Sequence, residues 1–493
     1  MAQQHFDIAI IGAGPGGYST ALRAAELGKT VALIEKDATL GGTCLNRGCI
    51  PSKALLTAVH SVETIRNAER MGINASLQSI DFGKLRDFRV STVETMTKGL
   101  TGLLAHRGVT VFRGDAVLRG AHTVDILPAQ GQTHVLRSVK AEVFEPTDAQ
   151  FTIVADDIVL ATGSRPLALP DNPFTGALID STQALELNTL PASAVIVGAG
   201  AVALEFASLW NAAGCKVTLL IRKDRVLSTW ERRTSMTLTR ELKRRGVEVI
   251  TRTAVEHVDT GANLGATVHY RQNDSTEERV AYGEVVLAAI GRVPNTDADW
   301  FRSSGLALDD RGYVVVDGFG HTNLDGVWAL GDITPGHALA HRAFEQGITI
   351  AEKIAGLDPK PVLDETVPQV VFSFPEAASV GLTLDQAKTR EDVLEPEETA
   401  YPMLSNARML MSGEGGSMTI VSGEFADEPN KRVVLGVHIV SPIASDLIAE
   451  AEQLVGNHVP LADAARLIHP HPTFSETLGE ALLKADGRPL HTR

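Results

Sequence analysis

The feature that most restricts the fold is an apolar run that ends in three closely spaced glycines. Residues Phe6 to Ile11 are almost continuously apolar, as a parallel strand is when both faces of its sheet are covered. Gly12, Gly14 and Gly17 follow in GxGxxG spacing, and Ala21, Leu22, Ala24, Ala25 and Leu27 recur at helical intervals. Gly28 stops that helix, Thr30 to Ile34 reads as a second strand, and Glu35 closes it. Strand, turn, helix, strand and acid in this order make a dinucleotide-binding unit. Gly12 permits the tight turn, Gly14 lets a pyrophosphate approach the backbone, and Gly17 lets helix and strand pack closely. The helix N-terminus offers unpaired N–H groups to phosphate oxygens. Glu35 offers its carboxylate to ribose hydroxyls.

The pattern returns in the middle of the chain. Ala194 to Val197 reads as a strand, followed by Gly198, Gly200 and, in place of the third glycine, Ala203. This loosens the packing slightly without excluding a nucleotide. Ala201 to Ala213 is the helix, with Glu205 on it; Gly214 stops it, and Val217 to Ile221 is the next strand. An NAD site usually places an acid where Ile221 stands. An apolar side chain cannot bind two ribose hydroxyls, whereas Arg222 can pair with a 2′-phosphate, and Arg225 can add a second cation. These residues favour NADP over NAD; a basic surface run beside an ordinary NAD site is the alternative. Two more apolar runs, Ile153 to Leu160 and Val285 to Ile290, end in Thr162–Gly163 and Gly291.

Composition narrows the class. The chain has 493 residues, enough for two or three domains with substantial cores. A formal net charge of −15 argues against a general nucleic-acid binder. No apolar stretch is long enough to span a bilayer, and nothing before Phe6 resembles a signal or transit segment. A cytoplasmic protein is the simplest expectation, with a matured organelle form as the alternative. Three cysteines do not make a disulfide scaffold.

Two of the cysteines, Cys44 and Cys49, lie five positions apart in the run Gly41 to Lys53. An ideal helix would separate them by a rise of about 7.5 Å, whereas a disulfide wants Cα atoms about 4.4–6.8 Å apart. A bridge here needs a distorted turn, which Gly48 makes inexpensive. Two separate buried thiols are the other reading. A metal pair fits poorly, because no further Cys or His stands nearby at zinc spacing. Near the end, His471 and Glu476 flank Pro472 and a helix start. A helix entry can bring that carboxylate back to the imidazole, which gives a general base poised near neutrality. His469 is expected to cap or pack nearby.

The stretch from Gly41 to Lys53 closely resembles the active-site segment of dihydrolipoyl dehydrogenases, within the class I pyridine nucleotide-disulfide oxidoreductases. The segment His469 to Glu476 resembles their catalytic His–Glu. The resemblance implies that Cys44 is the interchange thiol, Cys49 the thiol beside the flavin, and Lys53 a neighbour of flavin N5. Glu205 would pair with Lys53. Asp332 would hold the ribityl chain, and Ala340, in a helix start near Ala338 to His341, would contact the flavin. Thr43, Thr162, Gly163 and Gly291 would also contact the cofactors, which are FAD and NAD or NADP, with no metal. His471 would come from the other subunit of a homodimer.

The implied architecture is α/β: two Rossmann-like domains for FAD and NAD(P), of the three-layer ββα type, plus a C-terminal α+β interface domain. The FAD domain would comprise residues 1–150 and 291–356, the NAD(P) domain 151–290 and the interface domain 357–493. In the last, Val371 to Phe374 and Val433 to Val440 read as strands, the latter central, and Asp446 to Val455 as a helix. Met409, Met411 and Met418 stand where the family suggests polar residues, and line either a malleable surface or the core. Residues Ala121 to Asp148 look like a variable insertion within hairpins. The implied activity oxidises lipoyl-bearing carrier protein or free dihydrolipoamide, with no nucleic acid or membrane partner. The alternatives are an NADPH-dependent reductase of another small disulfide or quinone, and a non-enzymatic flavin-bearing scaffold.

Overall fold

Strand β1 (Gln4–Ile11) runs through the middle of an eight-stranded sheet in the computed structural model, which describes residues 4–128, 143–144, 151–261, 265–273 and 275–492. It pairs in parallel with β2 (Val31–Glu35) on one side and with Phe151–Leu160 on the other. Successive side chains of a strand point to opposite faces. Ile8 and Ile10 thus enter a core with Ala21 and Ala24 of helix α1 (Pro15–Glu26). Ala9 and Ile11 enter a second core with Ile126, Ile153 and Ile158. Burial on both faces explains the unbroken apolar run. The hairpin Asp115–Gly120 and Thr123–Leu127 extends the sheet antiparallel beyond Phe151–Leu160. Beyond that hairpin, most of the expected insertion up to Asp148 lies outside the described residues.

The chain forms two units: Met1–Ala54, Gly83–Pro166 and Arg292–Asp364 make the first, and Leu55–Phe82, Leu167–Gly291 and Glu365–Arg493 the second. The expected boundary at residue 151 falls too early. The run from Phe151 carries the core residues Ile153, Ile158 and Leu160 and hydrogen-bonds along β1, so it belongs to the first sheet. Val327–Ala329 also joins that sheet, in parallel with Phe151–Leu160.

In the second unit, β3 (Ser193–Val197) is central to a five-stranded, wholly parallel sheet. Helix α4 (Ala201–Ala213) and strand β4 (Lys216–Ile221) follow it in the second strand–helix–strand turn. Strands β5 (Thr253–Asp259), β6 (Ala266–Gln272) and β7 (Arg279–Gly283) form a separate antiparallel sheet. The C-terminal part is a five-stranded antiparallel sheet packed with the helices Ala444–Gly456 and α5 (Glu476–Ala485). Arg432–Ser441 is an inner strand with partners on both sides, as its nearly unbroken apolar run suggests.

Two local expectations are revised. The strand expected over Val371 to Phe374 is Gln369–Val371. The Phe372 N–H donates to the Glu205 carboxylate and the Phe374 N–H to Ser208 Oγ, so side chains rather than a neighbouring strand take these donors. The methionines divide: Met409 and Met418 are fully buried in the C-terminal core, and Met411 is exposed.

Ile10 is fully buried in the first core. Ile10→Ala is expected to cost about 2–5 kcal/mol, because the cavity left in a strand covered on both faces closes only partly. Urea unfolding checks this: the midpoint falls with an unchanged slope.

Candidate active site

The segment after β2 is built around a broken helix. Helix α2 (Gly42–Arg47) stops at Gly48, whose φ and ψ are −145° and −107°, and α3 (Cys49–Asn67) begins at the next residue. The break removes the axial separation that an unbroken helix would impose and brings the two thiols near enough for Cys49 to shift the Cys44 thiol. A Cβ on Gly48 would lie 3.0 Å from the Thr43 carbonyl oxygen. Asn46 holds the start of α2 by donating to the Leu40 and Gly42 carbonyls, both at 3.0 Å. Cys44 and Cys49 are half-buried and stand as free thiols, the reduced form of the expected pair. The hydrogen bond to Cys49, burial and the negative charge of Cys49 together push the Cys44 thiol well up, with Lys53 pulling the other way. Lys53 Nζ lies 3.3 Å from Ser52 Oγ.

The first glycine loop is stitched to this segment: the Gly41 N–H donates to the Ala13 carbonyl at 2.9 Å. Gly12 has φ +103°, and a Cβ on Gly17 would sit 1.8 Å from the Gly12 carbonyl oxygen. Helix α1 starts at Gly14 without a side-chain cap, so its first N–H groups face the loop. Glu35 is buried at the end of β2 and accepts from the Ala13 and Asp37 N–H groups, each at 2.8 Å. Burial pushes its carboxyl up against those bonds. An uncapped helix N-terminus beside a buried terminal acid fits the pyrophosphate and ribose of FAD.

The other expected flavin residues cluster in the same unit. Thr162 and Gly163 are clasped by Asn295: Asn295 Nδ2 donates to the Thr162 carbonyl at 2.9 Å and Thr162 Oγ1 to the Asn295 carbonyl at 3.0 Å. Ser164 Oγ donates to Asp332, while Arg292 Nε donates to Ser164 Oγ at 2.7 Å. Ala340 opens the helix Ala340–Ile354, whose start at Leu339 also lacks a side-chain cap. Tyr18, one residue beyond Gly17, escaped the sequence reading. Burial and the charges of Cys44 and Cys49 push its phenol up, so it faces the thiol pair. Its place in the first turn of the glycine-loop helix was the available signal.

In the second unit, α4 likewise starts at Gly200 without a side-chain cap. Ala203 is fully buried, and a Cβ on Gly198 would lie 3.4 Å from its methyl. The alanine therefore fills the helix–strand contact rather than opening it. Glu205 is buried on α4, and Gly291 holds φ +145° after the strand Val285–Ala288. Ile221 is fully buried. Arg222 is exposed and has no hydrogen-bond or ion-pair partner among the described residues. Arg225, expected as a second phosphate ligand, instead binds the Asp224 carboxylate and, at 3.1 Å, the Ser228 carbonyl.

At the C-terminus, His471 Nδ1 lies 2.6 Å from Glu476 Oε1, and the imidazole is 76% exposed. Glu476 Oε2 accepts from the Thr473 N–H at 2.8 Å. The expected return of the carboxylate at a helix entry is thus present. Burial raises the Glu476 carboxyl, but the Thr473 and His471 contacts outweigh it and hold it below its ordinary value. His469 is bound to Glu450 at 2.9 Å and packs as expected. Cys215 is buried, and burial pushes its thiol up to about 12. No helix among the described residues is long and apolar enough to cross a membrane.

Residues 6–347 match the family described as pyridine nucleotide-disulphide oxidoreductase, and residues 367–482 match the dimerisation domain of that family. The chain is 37% identical over 483 residues to the dihydrolipoyl dehydrogenase of Geobacillus stearothermophilus, covering 98% of this chain and 96% of the relative. It is 36% identical over 487 residues to a dihydrolipoyl dehydrogenase of Bacillus subtilis, covering 98% and 97%. The crystal structure of LpdA from Mycobacterium tuberculosis matches with a TM-score of 0.84 at 26% identity, covering 98% of this chain and 99% of that one.

Two outcomes follow from the site geometry. In Gly48→Val the side chain meets the Thr43 carbonyl and spreads the turn; after mild oxidation the wild type is expected to lose two titratable thiols, and the variant none. For Glu476, a depressed folded pKa gives stability that is present above the ordinary value of 4.5 and is lost as pH falls through the folded value. The urea midpoint of wild type is expected to exceed that of Glu476→Gln at pH 7, and the gap to close in acid.

Proposed function

The chain belongs to the pyridine nucleotide-disulphide oxidoreductase family, and we propose that it oxidises dihydrolipoamide to lipoamide, with NAD(P)+ as the electron acceptor. The observation that carries this reading is the placement of Cys44 and Cys49 on either side of the Gly48 helix break. The unit built on β1 is assigned to FAD and the unit built on β3 to the nicotinamide nucleotide. Bound FAD supplies the two-electron relay from the dithiol to the nicotinamide.

In the oxidised enzyme Cys44 and Cys49 form the disulfide. A substrate thiolate attacks Cys44 Sγ; the new S–S bond forms as the Cys44–Cys49 bond breaks, and Cys49 leaves as a thiolate. The second substrate thiol closes the lipoyl ring by attacking its own sulfur of the mixed disulfide, which frees Cys44. His471 of the partner subunit takes the substrate protons in turn, held in orientation by its carboxylate neighbour. The net reaction yields lipoamide, NAD(P)H and one proton. Lys53 and Glu205 are assigned to position the flavin and nicotinamide rings, each from its own unit. Glu35, Thr43, Thr162, Gly163, Asp332 and Ala340 are assigned to FAD, and Gly198, Gly200, Ala203 and Gly291 to the nucleotide.

The homodimer is the functional form in this reading, with a lipoyl-bearing carrier protein or free dihydrolipoamide as substrate. A cytoplasmic setting is part of this reading, since three cysteines in 493 residues do not make a disulfide scaffold. NADP(H) is favoured by the exposed, unpartnered Arg222 next to a buried Ile221; Arg225 contributes less, being engaged with Asp224. The same observation favours the second reading, a reductase that runs from NADPH to another small disulfide or a quinone.

Steady-state assays with dihydrolipoamide, glutathione disulfide and a quinone, each with both nucleotides, separate these readings. Dihydrolipoamide turnover that survives intact in C44S would refute the mechanism. Arg222→Ala is expected to lower kcat/KM for the NADP couple by about tenfold to a hundredfold, the worth of one charge-assisted bond, and to leave the NAD couple nearly unchanged.

A further inference from the structure

Outside the redox site, the antiparallel β5–β6–β7 sheet of the second unit gathers two histidines and two carboxylates. His257 and His269 are cross-strand partners on β5 and β6, and the register shifts between Val255 and His257. Such irregularities re-aim side chains; here the two imidazoles stack, with centroids 4.0 Å apart and planes 15° from parallel. Glu278, just before β7, contacts His269 Nδ1. One ligand atom each from His257, His269 and Glu278 lie within 4.8 Å of one another. Asp259 Oδ2 lies 3.1 Å from the other ring nitrogen, His269 Nε2, and its second oxygen is 3.8 Å from His257 Nε2.

We propose that His257, His269 and Glu278 form a surface site for a divalent transition-metal ion, with Asp259 as the outer carboxylate that orients His269. Two imidazole nitrogens and a carboxylate are a donor set for ions of the zinc, copper and nickel type. A metal-bound histidine usually gives its remaining N–H to a carboxylate, which fixes tautomer and ring orientation; Asp259 already stands there. The side chains of His257 and Glu278 are each 50% exposed, so the ion has a direct path from solvent and keeps room for water ligands. His269 is the anchor, with its side chain only 20% exposed. The site uses none of the residues assigned to the redox chemistry.

Isothermal titration of the oxidised holoenzyme with zinc ion, after chelator treatment and without reductant, tests the site while the redox thiols are held in their disulfide. One equivalent per chain is expected. His257→Gln and His269→Gln are each expected to remove that equivalent with dihydrolipoamide turnover unchanged. Asp259→Asn is expected to weaken binding about tenfold to a hundredfold, as losing an outer carboxylate does. No uptake by the wild type, or the same uptake by both histidine variants, would overturn the proposal.

Discussion

The chemistry rests on a single backbone interruption. Sulfurs five residues apart are held too far apart by regular helix, and the break at Gly48 is what lets Cys44 and Cys49 approach. A side chain at Gly48 would crowd the Thr43 carbonyl, and Asn46 fastens the start of α2 with two hydrogen bonds. The Gly41 N–H then ties the segment to the glycine loop after β1. The cysteine segment and the first glycine loop are thus joined directly through the backbone.

The same economy governs the two nucleotide turns. Each begins on a strand buried on both faces, where packing fixes the strand end. Each leaves a helix N-terminus uncapped, at Gly14 and at Gly200. In a helix with no ligand to meet, a side-chain cap would add stability; leaving it out preserves N–H donors for phosphate. The turns differ at the end of the second strand. Glu35 is buried and held by two backbone donors, whereas in the second unit a buried Ile221 hands the position to the exposed Arg222.

Much of this was legible in the sequence, because the determining interactions are local. The apolar runs at β1 and β3, the glycine spacings, the terminal Glu35 and the cysteine segment lie within a few residues of one another, so spacing restricts geometry directly. The return of Glu476 to His471 was legible for the same reason: proline and a helix start leave the carboxylate a short path back. What sequence left open was decided by contacts between distant residues. Phe151–Leu160 joins the first sheet because β1 offers it a complete edge, and nothing in its own residues says so. The strand before Phe372 ends where Glu205 and Ser208 capture its backbone donors. Arg225 is tied to Asp224 and the Ser228 carbonyl, Met409 and Met418 belong to a core, and Tyr18 turns toward the thiols. The meeting of His257 and His269 depends on strand register, which no local motif encodes. Sequence determined the two strand–glycine–helix turns, the cysteine segment around Gly48 and the His471–Glu476 contact, since each is enforced by chain geometry over short range. Tertiary structure alone decided which strand neighbours which, which charged side chains remain available, and which distant residues share a site, since those follow from burial and pairing over long range.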